Sequence, residues 1–172
     1  MVLWLIFSSS DAREHRSAQP AGNSHASDYS MTNFTMTILD VNGQPSRIIK
    51  GQKIAHYPED DITKITFPIA QFIEEQKDTW LMTSERAETS GKGDEILLFD
   101  NVIITRKDNN NVELHTSKLN LDTIKNTLYT TEAVKMISPY GETNSVGLHA
   151  KLSEKTINLN SRVKGQYDAP SQ

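Results

Sequence analysis

From Met31 onward, apolar and polar residues alternate with a period of two. Phe34, Met36 and Ile38 alternate with Asn33, Thr35 and Thr37. Val146, Leu148, Ala150 and Leu152 alternate with Ser145, Gly147, His149 and Lys151, and Ile157 and Leu159 alternate with Thr156, Asn158 and Asn160, with Val163 on the same face. Successive side chains of a strand point to opposite faces, so the pattern predicts strands with one face on an apolar interior and the other in water. Turn chemistry separates the runs: "DVNGQ" with Asn42-Gly43, "GKGD" at 91–94, "KDNNN" at 107–111 and "SPYGE" with Tyr140-Gly141. No window from 31 to 172 gives a convincing amphipathic helix. "AQFIEEQKD" comes nearest, but it is short and follows a β-rich run containing Pro68.

One stretch breaks the alternation. In "GDEILLFDNVIITR", residues 93–106, Ile96 to Phe99 are consecutive apolar residues, and Val102-Ile103-Ile104 follow after Asp100-Asn101. Such strands are apolar on both faces and are expected where a sheet bends. A longer periodicity underlies the short one. Ile54, Ala87, Leu119 and Leu152 are spaced by 33, 32 and 33 residues, and Ile69, Val102, Val134 and Val163 follow them by 11 to 15. Each unit reads as strand, turn, strand, bend, strand. Stacking strand-built units of this length buries a continuous apolar stripe.

Composition changes this picture in three ways. Only 36% of the chain is hydrophobic and the mean hydropathy is −0.53, so apolar partner surface is scarce. A net charge of −4 with no cluster of Lys or Arg excludes a phosphate-tracking nucleic-acid binder. The absence of cysteine removes disulfides, thiol catalysis and Cys-type zinc sites. At the other end, "MVLWLIF" is apolar. Seven helical residues rise only ~10 Å against a hydrocarbon core of ~30 Å. Residues 1–7 are therefore read as the distal end of a membrane anchor that starts outside this sequence. Residues 8–30, rich in Ser, Ala, Asn and His without periodicity, read as a flexible tether. A β domain over 31–168 and a short tail at 169–172 complete the organisation.

The search for catalysis is negative. His15, His25, His56, His115 and His149 do not stand at metal-ligand spacing. "TSGKGDE" lacks the spacing of a phosphate loop and reads as a hairpin turn. Asp60-Asp61 and Glu74-Glu75 are adjacent pairs, which a strand would send to opposite faces, so they solvate rather than catalyse. The expectation is a non-enzyme with no cofactor and no metal. What remains is the interior. Either the two layers close on it as core, or they splay and it faces a groove for an apolar guest, lined by the sparse aromatics Phe34, Phe67, Trp80 and Phe99.

Four stretches in this order resemble the lipopolysaccharide export LptC family: "DVNGQPSRIIKGQKIAHYPEDDITKITFP", "TWLMTSERAE", "LLFDNVIIT" and "SPYGETNSVGLHAKLSEKTINLNSRVKGQY". The resemblance covers about residues 31–168. It implies an all-β, open, twisted antiparallel β-jellyroll (a β-taco), preceded by a transmembrane helix of which only the end is present, and a tether. It implies a single-pass protein of the Gram-negative inner membrane with its β domain in the periplasm. Such a protein accepts lipopolysaccharide from the transporter subunits LptF and LptG, driven by the ATPase LptB, and passes it to the bridge protein LptA. Phe34, Ile65, Ile157 and Tyr167 then face lipid, and Phe99 stands where the family often has an aromatic. Met36, Ile38, Ile54, Phe67, Trp80, Met82, Val134, Leu148 and Leu159 complete the expected groove. The strand near Thr35 is expected to join the transporter side. The strands near 155–167, with Val163 and the Tyr140-Gly141 turn, are expected to join the bridge side. The alternative from a different class is a closed β-sandwich that binds carbohydrate on an aromatic platform. It would need exposed Trp or Tyr in a row, whereas Tyr57, Tyr129 and Tyr140 are scattered.

Overall fold

A computed structural model describes residues 5–9, 26–74, 77–106 and 112–167. In chain order the strands are β1 (Leu5–Ser9), β2 (Tyr29–Leu39), β3 (Pro45–Tyr57), β4 (Ile62–Thr66), β5 (Ile69–Glu74), β6 (Lys77–Thr83), β7 (Arg86–Ser90), β8 (Glu95–Arg106), β9 (Val112–Asp122), β10 (Thr127–Ser138), β11 (Gly141–Lys151) and β12 (Thr156–Tyr167). Every pairing among them is antiparallel, and the described residues contain no helix. The described residues of "AQFIEEQKD" are strand and not helix, in β5 and the start of β6.

The sheet folds over on itself because its long strands cross from one layer to the other. The front half of β3 pairs with β5 and its back half with β4. The front half of β8 pairs with β7 and its back half with β6. Thus β4 with β5, and β6 with β7, are each one strand broken at the bend. The bend is written in backbone geometry. Asn33 in β2, Phe67 between β4 and β5, Asp100 and Asn101 in β8, and Arg162 in β12 all have φ between 48° and 59°. Asn and Asp tolerate this left-handed region better than other side chains, and such residues bulge a strand and turn its direction. The pairing registers shift at the same places, between Phe99 and Val102 in β8, Thr130 and Ala133 in β10, and Asn144 and Val146 in β11. Asn33, Phe67 and Asp100 recur at 34 and 33 residues, so the repeat in the sequence is the period of the bend: two strands and one return per unit.

Burial follows from this. The first repeat series, Ile54, Ala87, Leu119 and Leu152, is wholly buried. The second is divided: Val102 and Val134 are buried, whereas Ile69 and Val163 are exposed. The two-faced run at 96–104 also resolves. Leu98, Val102 and Ile104 face the core, while Leu97, Phe99 and Ile103 are half-buried on the opposite face of the strand. The predicted turns form as their chemistry requires. In "DVNGQ", Asp40 Oδ1 accepts from the amides of Asn42 and Gln44 at 2.8 and 2.9 Å, and Gly43 adopts φ of 77°. The "KDNNN" turn lies outside the described residues.

The N-terminal apolar run departs from expectation. Leu5–Ser9 is a strand, paired with β2 from Leu5 opposite Ile38 to Ser9 opposite Phe34. No helix among the described residues is long and apolar enough to cross a membrane. The physical reason is that β2 would otherwise present a row of unpaired amides and carbonyls. A neighbouring segment of the same chain satisfies them.

Candidate functional site: the apolar interior, its mouth and its edges

The inner face is organised as cross-strand rows. In one layer, the register aligns Met36, Ile49, Ala70, Met82, Ile104, Leu114, Met136 and Thr143. In the other, Met31, Ile54, Ile65, Ala87, Leu98 and Leu119 form one row, and Ile96, Leu121, Leu128, Ala150 and Ile157 a second. Leu148 opposite Leu159 carries the stripe to the last strand. These side chains make one core cluster, with Met31, Met36, Ile38, Ile96, Met136, Ile157 and Leu159 packed at its margins.

The interior is closed, not splayed. Phe34, Trp80, Met82, Leu114, Leu119, Leu128 and Leu148 are each at most 3% exposed. A polar composition suggested too little apolar surface to fill the space. The bends nevertheless bring the inner rows of both layers face to face, and a few large side chains suffice. Phe34 illustrates the fit: it lies opposite Gly51, and a Cβ there would stand 2.6 Å from Phe34 Cε1 and 3.0 Å from Ile65 Cγ2.

Sequence-predicted groove residues divide accordingly. Phe34, Ile54, Ile65, Trp80, Met82, Val134 and Leu148 are buried in the interior, and Met36, Ile38, Ile157 and Leu159 flank it. Three stand elsewhere. Phe67 occupies the bend itself with φ of 48° and is 54% exposed, since the chain turns there instead of continuing its alternation. Phe99 lies on the outer face, where Arg86 and Lys118, its partners on either side, place their cations 5.4 and 5.5 Å from its ring centroid. Phe99 directly follows the inward Leu98, so the alternation of β8 itself turns it outward, just ahead of the bulge at Asp100-Asn101. Tyr167 is exposed at the end of β12, with its hydroxyl 3.2 Å from that of Thr143. A phase effect acts in β11. Thr143 and Ser145 are buried while Val146 is only half-buried, because Gly147 with φ of 82° resets the alternation.

The two layers meet again at the mouth, opposite the bend. One further inner row aligns Ile38, Arg47, Phe72, Trp80, Arg106 and Val112. Arg47 stacks on Phe72 and Arg106 on Trp80, at 5.3 and 5.6 Å. Both arginines reach across to turns of the opposite layer. Arg47 Nη2 donates to Thr123 O at 2.7 Å and to Asn126 Oδ1 at 3.1 Å. Arg106 Nη1 donates to Lys155 O at 3.3 Å. Burial lowers the pKa of Arg47, because a guanidinium short of water loses hydration of its charge. Alternation of apolar residues does not single out these two arginines; the available signal is an Arg at the end of an apolar run, as in "SRIIK" and "IITRK".

The edges complete the site. β12 pairs with β11 and ends the sheet, and most of its side chains are exposed, including Val163. Tyr140 is exposed in the turn beside it, and Gly141 pairs with Tyr167. At the other end Thr35 is paired on both sides, with Lys50 and Ser8. The entry to β2 is pinned by His56. Its Nδ1 lies 2.8 Å from Asp28 and its Nε2 3.2 Å from Asp61, and its ring stacks on Tyr29. Hydrogen bonds to Asp28 and then Asp61 raise its pKa.

Fold and site together define a class: an all-β, antiparallel folded jellyroll with an apolar interior and strand edges at its ends. Solved structures bear this out. The fold is similar to that of LptH from Pseudomonas aeruginosa, described as the LptA-homologous periplasmic component of the lipopolysaccharide transport device. The TM-score is 0.57 at 6% identity, over 72% of this chain and 95% of that one. No curated protein matches the sequence. The LptC-related lipopolysaccharide-assembly family matches residues 1–168, and the chain belongs to that family. That family serves lipopolysaccharide assembly.

Proposed function

We propose that this domain is the lipid-binding segment of the bridge at the inner membrane, accepting lipopolysaccharide from the ATP-driven transporter and passing it to the periplasmic bridge protein. The observation that carries the reading is the continuity of the apolar interior, which runs from Met31 and Met36 on β2 to Ile157 and Leu159 on β12. A guest entering at one edge can leave at the other without its chains meeting water.

Energetics fit a carrier. Each buried methylene is worth ~0.8 kcal/mol. Acyl chains that replace side-chain contacts in a packed interior exchange apolar for apolar, so loading and release are nearly balanced, and direction is supplied by the transporter. Opening is then a hinge motion about the bend. β12 offers its free edge for strand addition by the next jellyroll, with Val163 and the Tyr140-Gly141 turn alongside. On the transporter side, an incoming strand at Thr35 must take the place of β1. Residues 1–7 give the means: in a bilayer this apolar run belongs to the membrane anchor and leaves the β2 edge to LptF or LptG. The domain itself then lies in the periplasm.

Photo-crosslinking tests the reading. Photoreactive residues at Phe34, Ile65 and Ile157 are expected to yield lipopolysaccharide adducts in cells, and one at the outer Phe99 is not. Adducts at Phe99 alone, or with glycans lacking acyl chains, would overturn it.

A further inference from the structure

We infer that Arg47 and Trp80 form an anion subsite at the mouth, for a phosphate or carboxylate of the amphiphilic guest, and that filling it releases the Arg47 bonds joining the two lips. The inference rests on the carrier reading above and adds to it a headgroup contact and a trigger.

Three observations converge. First, Arg47 is a half-buried cation whose hydrogen bonds go to neutral acceptors, Thr123 O and Asn126 Oδ1, and among the described residues no carboxylate pairs with it. A buried charge satisfied by neutral groups alone gains most from an anion, and a guanidinium binds phosphate or carboxylate oxygens through two parallel donors. Second, Trp80 is 2% exposed and its indole Nε1–H finds no acceptor among the described residues. Orphaned buried donors are rare and call for an explanation. Third, both residues line one cavity of about 150 Å³, together with Phe72, Asn126, Leu152 and Ser153. At ~30 Å³ per water that volume equals about five waters, enough for a phosphate group. Arg47 brings guanidinium donors to the cavity, and Ser46, Ser153 and Asn126 are side chains that can also donate to an anion.

The location supplies the consequence. Arg47 lies on one lip and the 123–126 turn on the other, so the bonds that satisfy Arg47 also hold the mouth shut. An anion that takes over the guanidinium competes with Thr123 O directly. Arg106 bonded to Lys155 O is the parallel contact one strand pair further along the same inner row. The acyl chains of the guest then meet an interior whose lip has already been freed by its headgroup.

The test uses the full chain with Val41→Cys and Ile124→Cys, both exposed and on opposite lips, in a sequence without native cysteine. Nitroxide labels at these positions report the distance across the mouth. The probes are a bisphosphorylated lipid A, the same glycolipid stripped of phosphate, and inorganic phosphate. The bisphosphorylated lipid is expected to widen the distance at about tenfold lower concentration than the stripped lipid, the scale of one charge-assisted hydrogen bond. Arg47→Gln is expected to abolish that preference. Arg47→Lys, which keeps the charge but not the fork, carries the same comparison if Arg47→Gln fails to fold. Widening by millimolar inorganic phosphate alone, lost in the variant, supports the subsite with free phosphate as occupant. Equal response to both lipids overturns the inference and leaves the carrier reading standing. No response to either lipid overturns the carrier reading itself.

Discussion

The contact between Phe34 and Gly51 allows a quantitative test of the closed interior. Gly51 has no left-handed backbone angle to defend, so its substitution acts through space alone. A methyl at Gly51 would sit 2.6 Å from Phe34 Cε1 and 3.0 Å from Phe34 Cζ and Ile65 Cγ2. Carbon atoms prefer ~3.5–4.0 Å, so the ring must retreat by about an ångström into a packed row. Overpacking of this kind costs ~1–3 kcal/mol. At ~2–4 °C per kcal/mol for a domain of this size, Gly51→Ala should lower Tm by about 2–12 °C. Phe34→Leu alone should cost ~1–2 kcal/mol through lost volume. Combined, the smaller side chain vacates the space the methyl needs. The double variant should therefore be more stable than the sum of the singles implies, with a coupling of about 1 kcal/mol. Urea denaturation of all four proteins measures it. Additivity within ~0.5 kcal/mol would show that Phe34 does not seat on Gly51, and the account of a closed interior would fail at its N-terminal end.

Other consequences are accessible to simple measurements. Leu119→Ala, at a wholly buried position, should cost ~2–5 kcal/mol in urea, whereas Val163→Ala on the exposed β12 should cost under ~0.5 kcal/mol while weakening capture of the bridge protein. The His56 clamp makes the start of β2 pH-dependent. Its pKa is raised in the folded state, so the stabilisation is fully present below the unfolded value of 6.5 and is lost as pH rises through the raised one. Hydrogen exchange at Tyr29 to Met31 should therefore accelerate from pH 6 to 8.5 beyond the intrinsic rate increase, and His56→Gln should remove that excess. Asp100→Gly should be tolerated or mildly stabilising because φ there is 59°, whereas Asp100→Val should destabilise by ~1–3 kcal/mol; equal melting temperatures for the two would refute the strain at the bend.

Much of the fold could be read along the chain. Alternation in "FTMTI" and in "GLHAKL" gave the inward faces of β2 and β11 because period-two burial is a local property of any half-covered strand. The spacing of Ile54, Ala87, Leu119 and Leu152 announced a repeating unit, and the bend recurs at nearly the same interval. The order of four short stretches pointed to the family that residues 1–168 match. Phase was less legible. Phe67 and Val146 lie at a bend and beside a register shift, and such an irregularity moves every following side chain by one position, whereas Phe99 sits in a run apolar on both faces, where pattern alone does not say which face is inward. Whether a strand bulges is settled by register with its neighbours, which no local window contains.

Tertiary structure alone decided the remaining features. The apolar run at Leu5 became a strand because the edge of β2 was there to receive it. Two arginines spaced far apart in sequence became a closure because folding the sheet brought the turns at 123–126 and 152–155 over them. Local sequence determines which way a side chain faces on its own strand; what it faces depends on pairings and layer contacts between residues far apart in the chain, and these form only when the sheet folds over.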